Sequence, residues 1–132
     1  MPGAVDIVIA DKFRILEVIK KDDLAAVYKA EDTSAGVTVI LKTLKTAGLP
    51  DPTIETRFRR ESSLLAEMEH PHIITAAENG SADGLLYISF EYFESENLRT
   101  LLQKGPLAED VKYILVKQLF AALSYAHSKG II

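Results

Sequence analysis

The sequence has no cysteine and no tryptophan, only two methionines, and no apolar run near the roughly 20 residues that a membrane-spanning helix needs. The missing cysteine excludes disulfides and thiolate metal sites and fits a reducing compartment. Excess positive charge is missing too: 15 basic against 19 acidic residues leave a net charge of -4, which gives no electrostatic reason to expect nucleic acid or an anionic membrane as a partner. The three histidines do not form a metal-ligand spacing. Met1 to Ala10 lack the basic start and long apolar core of a secretory signal and read as the beginning of the fold, so the expected location is cytoplasmic.

What remains is an ordinary globular composition, 48% hydrophobic and 26% charged, with 132 residues as one domain's worth of chain. Phe13 to Val18 and Ala26 to Glu31 are strand-like runs around the polar segment Lys20-Lys21-Asp22-Asp23. Thr33-Ser34-Ala35-Gly36 is the next turn, and Val37 to Leu44 follows as a third strand. A helix is expected from Asp51 and Pro52, as cap and first residue, to a stop at His70-Pro71. Its stripe Ile54, Phe58, Leu65 and Met68 contains Glu61, and a carboxylate facing a core needs a cation or hydrogen-bond partner unless it lies at the stripe's wet edge.

Ile73 to Glu78 and Leu85 to Tyr92 read as two further strands joined by Asn79 to Gly84. Asn97 can cap a short helix ending at Gln103, and a long helix from Ala108 to Ser128 is stopped by Gly130. Its apolar residues cover more than one face, the pattern of a helix buried on most sides. The expected class is α+β, a five-stranded antiparallel sheet with one helix after the third strand, followed by two more helices.

This element order and the local sequences resemble the small lobe and first large-lobe helices of the eukaryotic-type serine/threonine protein kinase family. Ala26-Val27-Tyr28-Lys29-Ala30 looks like the family's second strand, and Val39-Ile40-Leu41-Lys42 like the Val-Ala-Ile-Lys of its third. His70-Pro71-His72-Ile73-Ile74 is close to His-Pro-Asn-Ile-Val, and Leu86 to Phe93 is close to the fifth strand and hinge. Tyr125 to Ile132 resembles the end of the large lobe's E-helix. The resemblance implies a small lobe with hinge over residues 1–96 and a segment resembling the D- and E-helices over 97–132.

It also implies a nucleotide site. Lys42 would hold the phosphates with Glu61 as its ion-pair partner, Val27 and Phe90 would line the adenine space, and the backbone of Glu91 and Phe93 would form the hinge contacts. The sequence departs from an active kinase in several places. Lys20, Asp22 and Ala25 stand at the three positions of the glycine-rich loop, and Ile40 replaces a small alanine beside the adenine space. Asp22 and Asp23 either repel a triphosphate or form a solvated turn, and Ile40 either excludes adenine or completes the core.

Neither His-Arg-Asp nor Asp-Phe-Gly occurs in the 132 residues. The expectation is therefore a truncated pseudokinase-like module, with an N-terminal piece of a longer ATP-dependent kinase as the alternative. No catalytic residue, metal ligand or obligatory cofactor is expected, and the hinge backbone leaves room for weak ATP binding. The expected partner is another protein or a second copy, met through the helix 108–128, with no nucleic acid and no membrane involved.

Overall fold

The computed structural model describes residues 7–131. Among the described residues nine elements follow one another: β1 (Val8–Ile9), β2 (Phe13–Lys21), β3 (Ala25–Asp32), β4 (Val37–Lys45), α1 (Thr53–Ala66), β5 (Ala76–Ala82), β6 (Leu85–Glu91), α2 (Leu98–Gln103) and α3 (Glu109–Ser128). They divide into two compact units. The first runs to Glu67 and resumes over Thr75–Tyr92; the second combines Met68–Ile74 with the chain from Phe93. The division thus falls after Tyr92, with residues 93–96 grouped with the helices.

In the first unit the strands form one antiparallel sheet in the order β1-β2-β3-β4-β6-β5. Six strands replace the expected five. The additional one, β1, turns back at Ala10-Asp11, both left-handed (φ 58 and 54), with the Lys12 amide donating to the Ile9 carbonyl at 3.1 Å. Hairpin turns of this hand favour Asn-Gly or Asp-Gly, so Ala-Asp carries no legible signal. The other correction is β5, displaced from the expected Ile73–Glu78 to Ala76–Ala82. Asp83-Gly84 alone makes the turn, with φ 55 and 74, and this two-residue loop fixes the register Ala82↔Leu85, Ser81↔Leu86 and Gly80↔Tyr87. Pairing with β6 thereby draws Asn79, Gly80 and Ser81 into a strand against their propensity.

The sheet curls until its two edge strands are joined by side chains. The Ala10 amide donates to Oδ2 of Asp83 at 3.2 Å, and Lys12 meets the Glu78 carboxylate while lying 3.7 Å from Oδ2 of Asp32. Inside the curl lie Ile9, Phe13, Ala30, Val39, Leu41 and Tyr87. Phe13 and Leu41 are fully buried, each contributing about 1.5–3 kcal/mol through removal from water. Phe13 meets the Tyr87 ring edge to face at 5.3 Å, and the Tyr87 hydroxyl donates to Oε2 of Glu78 at 3.3 Å. Gly80 makes room for that ring, because a Cβ there would stand 2.8 Å from the Tyr87 hydroxyl oxygen.

Helix α1 lies against β5 and, less extensively, β6. Asp51 accepts from the Thr53 amide at 2.9 Å, as a cap should, and the helix ends at Ala66, before the expected His70-Pro71 stop. In the second unit Asn97 caps α2 as its sequence predicts, its Oδ1 accepting from the Thr100 amide at 2.8 Å. Helix α3 closes on a Schellman arrangement at Gly130 (φ 84), with the Ile131 amide donating to the Ala126 carbonyl and the Gly130 amide to that of His127, each at 3.0 Å. Segment 68–74 joins this unit through the Glu69 amide, which donates to the Tyr125 hydroxyl at 3.0 Å, and through His70, whose ring lies 5.1 Å from that of Tyr125. No described residue of α3 is buried along its 20 residues.

Candidate nucleotide site

Antiparallel register decides which side chains share a face, because directly paired residues point the same way. Val27, Lys42 and Ile88 stand abreast across β3, β4 and β6, and Lys29, Ile40 and Phe90 form the next row. One face of the sheet therefore carries Val27, Lys42 and Phe90 together, with Ile40 among them. Val27, Ile40 and Phe90 are half-buried and Lys42 is exposed. The opposite face, with Val39, Leu41 and Tyr87, is the closed interior of the curl.

The ion pair between Lys42 and Glu61 is not formed. Lys12, Arg14, Arg59, Lys104 and Lys112 supply the cations of the ion pairs seen among the described residues, and neither Lys42 nor Glu61 takes part. The reason lies in the phase of α1. Its sheet-facing positions are Ile54, Phe58, Ser62 and Leu65, with Ser62 only 5% exposed, and Glu61, one step of about 100° away, faces solvent. Nor does α1 sit on the strand that bears Lys42, since its main contacts are to β5 and β6. Glu61 is the wet-edge residue, and its place in the stripe is taken by a serine whose small polar side chain gave no hydrophobic signal.

At the hinge, the Glu91 amide donates to the Thr75 carbonyl at 3.0 Å, and its carboxylate Oε1 accepts from the Thr75 amide at 3.2 Å. These two bonds fix the end of β6 to the start of β5. The ammonium of Lys29 lies 4.7 Å from the centre of the Tyr92 ring, a cation–π contact on the same row as Ile40. Phe93 is 51% exposed and belongs to the second unit.

The loop at the glycine-rich position is Asp22 to Leu24, between β2 and β3. Its conformation rests on Asp22, whose Oδ1 accepts from the Leu24 and Ala25 amides, each at 2.8 Å, while the Asp22 amide donates to the Ala25 carbonyl at 2.9 Å. The Lys45 amide donates to the Leu24 carbonyl at 2.8 Å and ties the loop to β4. Hydrogen bonds from Ala25 and then Leu24 hold the Asp22 carboxyl below the ordinary aspartate range. The sequence showed that an acid had replaced glycine, but not that its oxygen would be taken up by its own backbone.

A second polar group escaped sequence reasoning entirely. Lys12, Asp32, Glu78 and Tyr87 form one network at the mouth of the curl, and burial followed by the Glu78 charge raises the Tyr87 hydroxyl above its ordinary pKa. Its members are scattered over the chain, Lys12 and Glu78 being separated by 66 positions, so no local pattern could join them.

A curled antiparallel sheet with a helix on its far strands, a lysine on its open face and a hairpin loop at one end defines a protein-kinase-type small lobe. The protein kinase domain family matches residues 13–132, and the chain belongs to that family. Two bacterial relatives are similar over nearly its whole length. Serine/threonine-protein kinase pkn3 of Myxococcus xanthus is 34% identical over 126 residues, covering 94% of this chain and 23% of its own length. The "Probable serine/threonine-protein kinase PknB" of Lactococcus lactis is 32% identical over 127 residues, covering 95% and 20%. The chain thus spans about a fifth of the length of these relatives. The crystal structure of a mutant of the Mycobacterium tuberculosis PknI kinase domain superposes with a TM-score of 0.78 at 25% identity, covering 98% of this chain and 53% of that one.

Proposed function

We propose that these 132 residues act as a pseudokinase-like docking module: they bind a protein partner or a second copy through α3 and do not transfer phosphate on their own. The observation that carries this reading is the apolar surface of α3. Val116, Leu119, Phe120 and Leu123, spaced to share one face of the helix, are all exposed, Phe120 at 69%. Soluble monomers rarely leave a contiguous apolar patch beyond a few hundred Å² uncovered. Loss of transfer is supported by Lys20, Asp22 and Ala25 at the glycine positions and by the unpaired Lys42 and Glu61. In this reading the module needs no cofactor and works in the cytoplasm.

Light scattering over a range of concentrations tests the docking. Association that Leu119→Asp and Phe120→Asp abolish is the expected result. A strict monomer whose two variants remain equally soluble and stable would overturn it.

A second reading is favoured by coverage. Because the chain spans 53% of the PknI kinase domain and about a fifth of the bacterial relatives, it also fits the N-terminal part of a longer ATP-dependent serine/threonine kinase, whose later residues would cover α3. The reading frame beyond Ile132 separates the two, since a continuing His-Arg-Asp favours the longer enzyme and a stop codon the module.

A further inference from the structure

We propose that the β2–β3 loop is self-liganded: the Asp22 carboxylate occupies the anion-binding amides of its own backbone, and the loop is closed to phosphate by occupancy. Consecutive backbone N–H groups that converge on one point form a concavity suited to an anion, the arrangement by which phosphate-binding loops work. Here the Leu24 and Ala25 amides converge on a single oxygen, Oδ1 of Asp22, at 2.8 Å each. Both donors are therefore oriented for an anion and already satisfied by one. Their frame is fixed from two sides, by the bond between the Asp22 amide and the Ala25 carbonyl and by the Lys45 amide on the Leu24 carbonyl.

A phosphate arriving at the loop must displace a carboxylate that is covalently tethered and held by two charge-assisted hydrogen bonds. Neither the Leu24 nor the Ala25 amide is free to receive it. The replaced glycines thus do more than stiffen the turn, because the residue at the middle position supplies the competing anion. Lys20, opposite Val27 near the end of β2, lends attraction to either anion, and the tethered carboxylate is charged at neutral pH as aspartates ordinarily are. This inference rests on reading the loop as a former phosphate cradle and is independent of docking through α3.

The experiment follows the Leu24 and Ala25 amide resonances of the 132-residue chain while inorganic tripolyphosphate is added. The wild-type resonances should stay fixed. In Asp22→Gly both should shift with saturation, with affinity at least about tenfold above any wild-type response. Asp22→Ala, which leaves the loop less freedom than glycine, should behave in the same direction. Asp22→Asn is the discriminating variant: its neutral carbonyl oxygen can still accept both hydrogen bonds, so it should remain largely closed. Wild-type shifts at these two amides would overturn the proposal, as would silence in both Asp22→Gly and Asp22→Ala with their spectra otherwise intact. An Asn variant that binds as tightly as the Gly variant would show that charge repulsion, rather than occupancy, keeps phosphate out. Phosphoryl transfer by the wild-type chain would instead defeat the docking reading and leave the loop result standing.

Discussion

Two single residues, Gly80 and Asp51, carry constraints of different reach, the first set by a neighbouring strand and the second by the helix that it begins. Gly80→Ala would place a methyl group against the Tyr87 ring from a rigid neighbouring strand, so a loss of about 1–3 kcal/mol is expected in urea unfolding. Asp51 holds the first amides of α1, and bonding to Thr53 lowers its carboxyl pKa, as the loop amides do for Asp22. Both carboxyls titrate lower in the folded chain than in the unfolded one. Their stabilisation is therefore full above the unfolded value and fades as pH falls through the folded one. Thermal melts of wild type and Asp51→Ala from pH 7 to pH 3 should converge at the acid end. Curves that stay a fixed distance apart throughout would mean that the contribution of Asp51 does not depend on its charge.

At the scale of elements, the placement of α1 decides the outcome for Lys42. Were Glu61 buried beside it, Lys42→Met would leave an uncompensated charge and cost about 3–5 kcal/mol. With both groups exposed and unpaired, Lys42→Met and Glu61→Ala should each change stability by less than about 0.5 kcal/mol, as surface substitutions usually do. A large loss in chemical denaturation would place the helix in another phase. The sequence made β2, β3, β4, β6 and the ends of α2 and α3 legible because their signals are local: strand-forming runs, a capping asparagine, a terminal glycine. It misled at α1, where Ser62 rather than Glu61 completes the buried face and hydropathy counts both as polar. At β5 the tight Asp83-Gly84 turn overrode weak strand propensity. Val27, Lys42 and Phe90 were brought together in the sequence only by the family resemblance, their shared face depending on strand register, and the uses of Asp22 and Glu91 depended on backbone geometry that composition does not encode.

At the scale of the whole molecule, the joined edges of the sheet bear on the time course of folding. Most strand pairs link neighbours in the chain, but the contact between Ala10 and Asp83 spans 73 positions and that between Lys12 and Glu78 spans 66. Long loops are entropically slow to close, so such contacts form late, after the hairpins that present them. An interaction made after the rate-limiting barrier leaves the forward rate alone and governs only how fast the native state is lost. In stopped-flow chevrons, Lys12→Met should therefore leave the refolding limb unchanged and raise the unfolding rate severalfold. Slowed refolding would instead put the seam in the nucleus. Because the seam closes last, it is also the place where the native state first opens, and these few side chains at the rim set its lifetime.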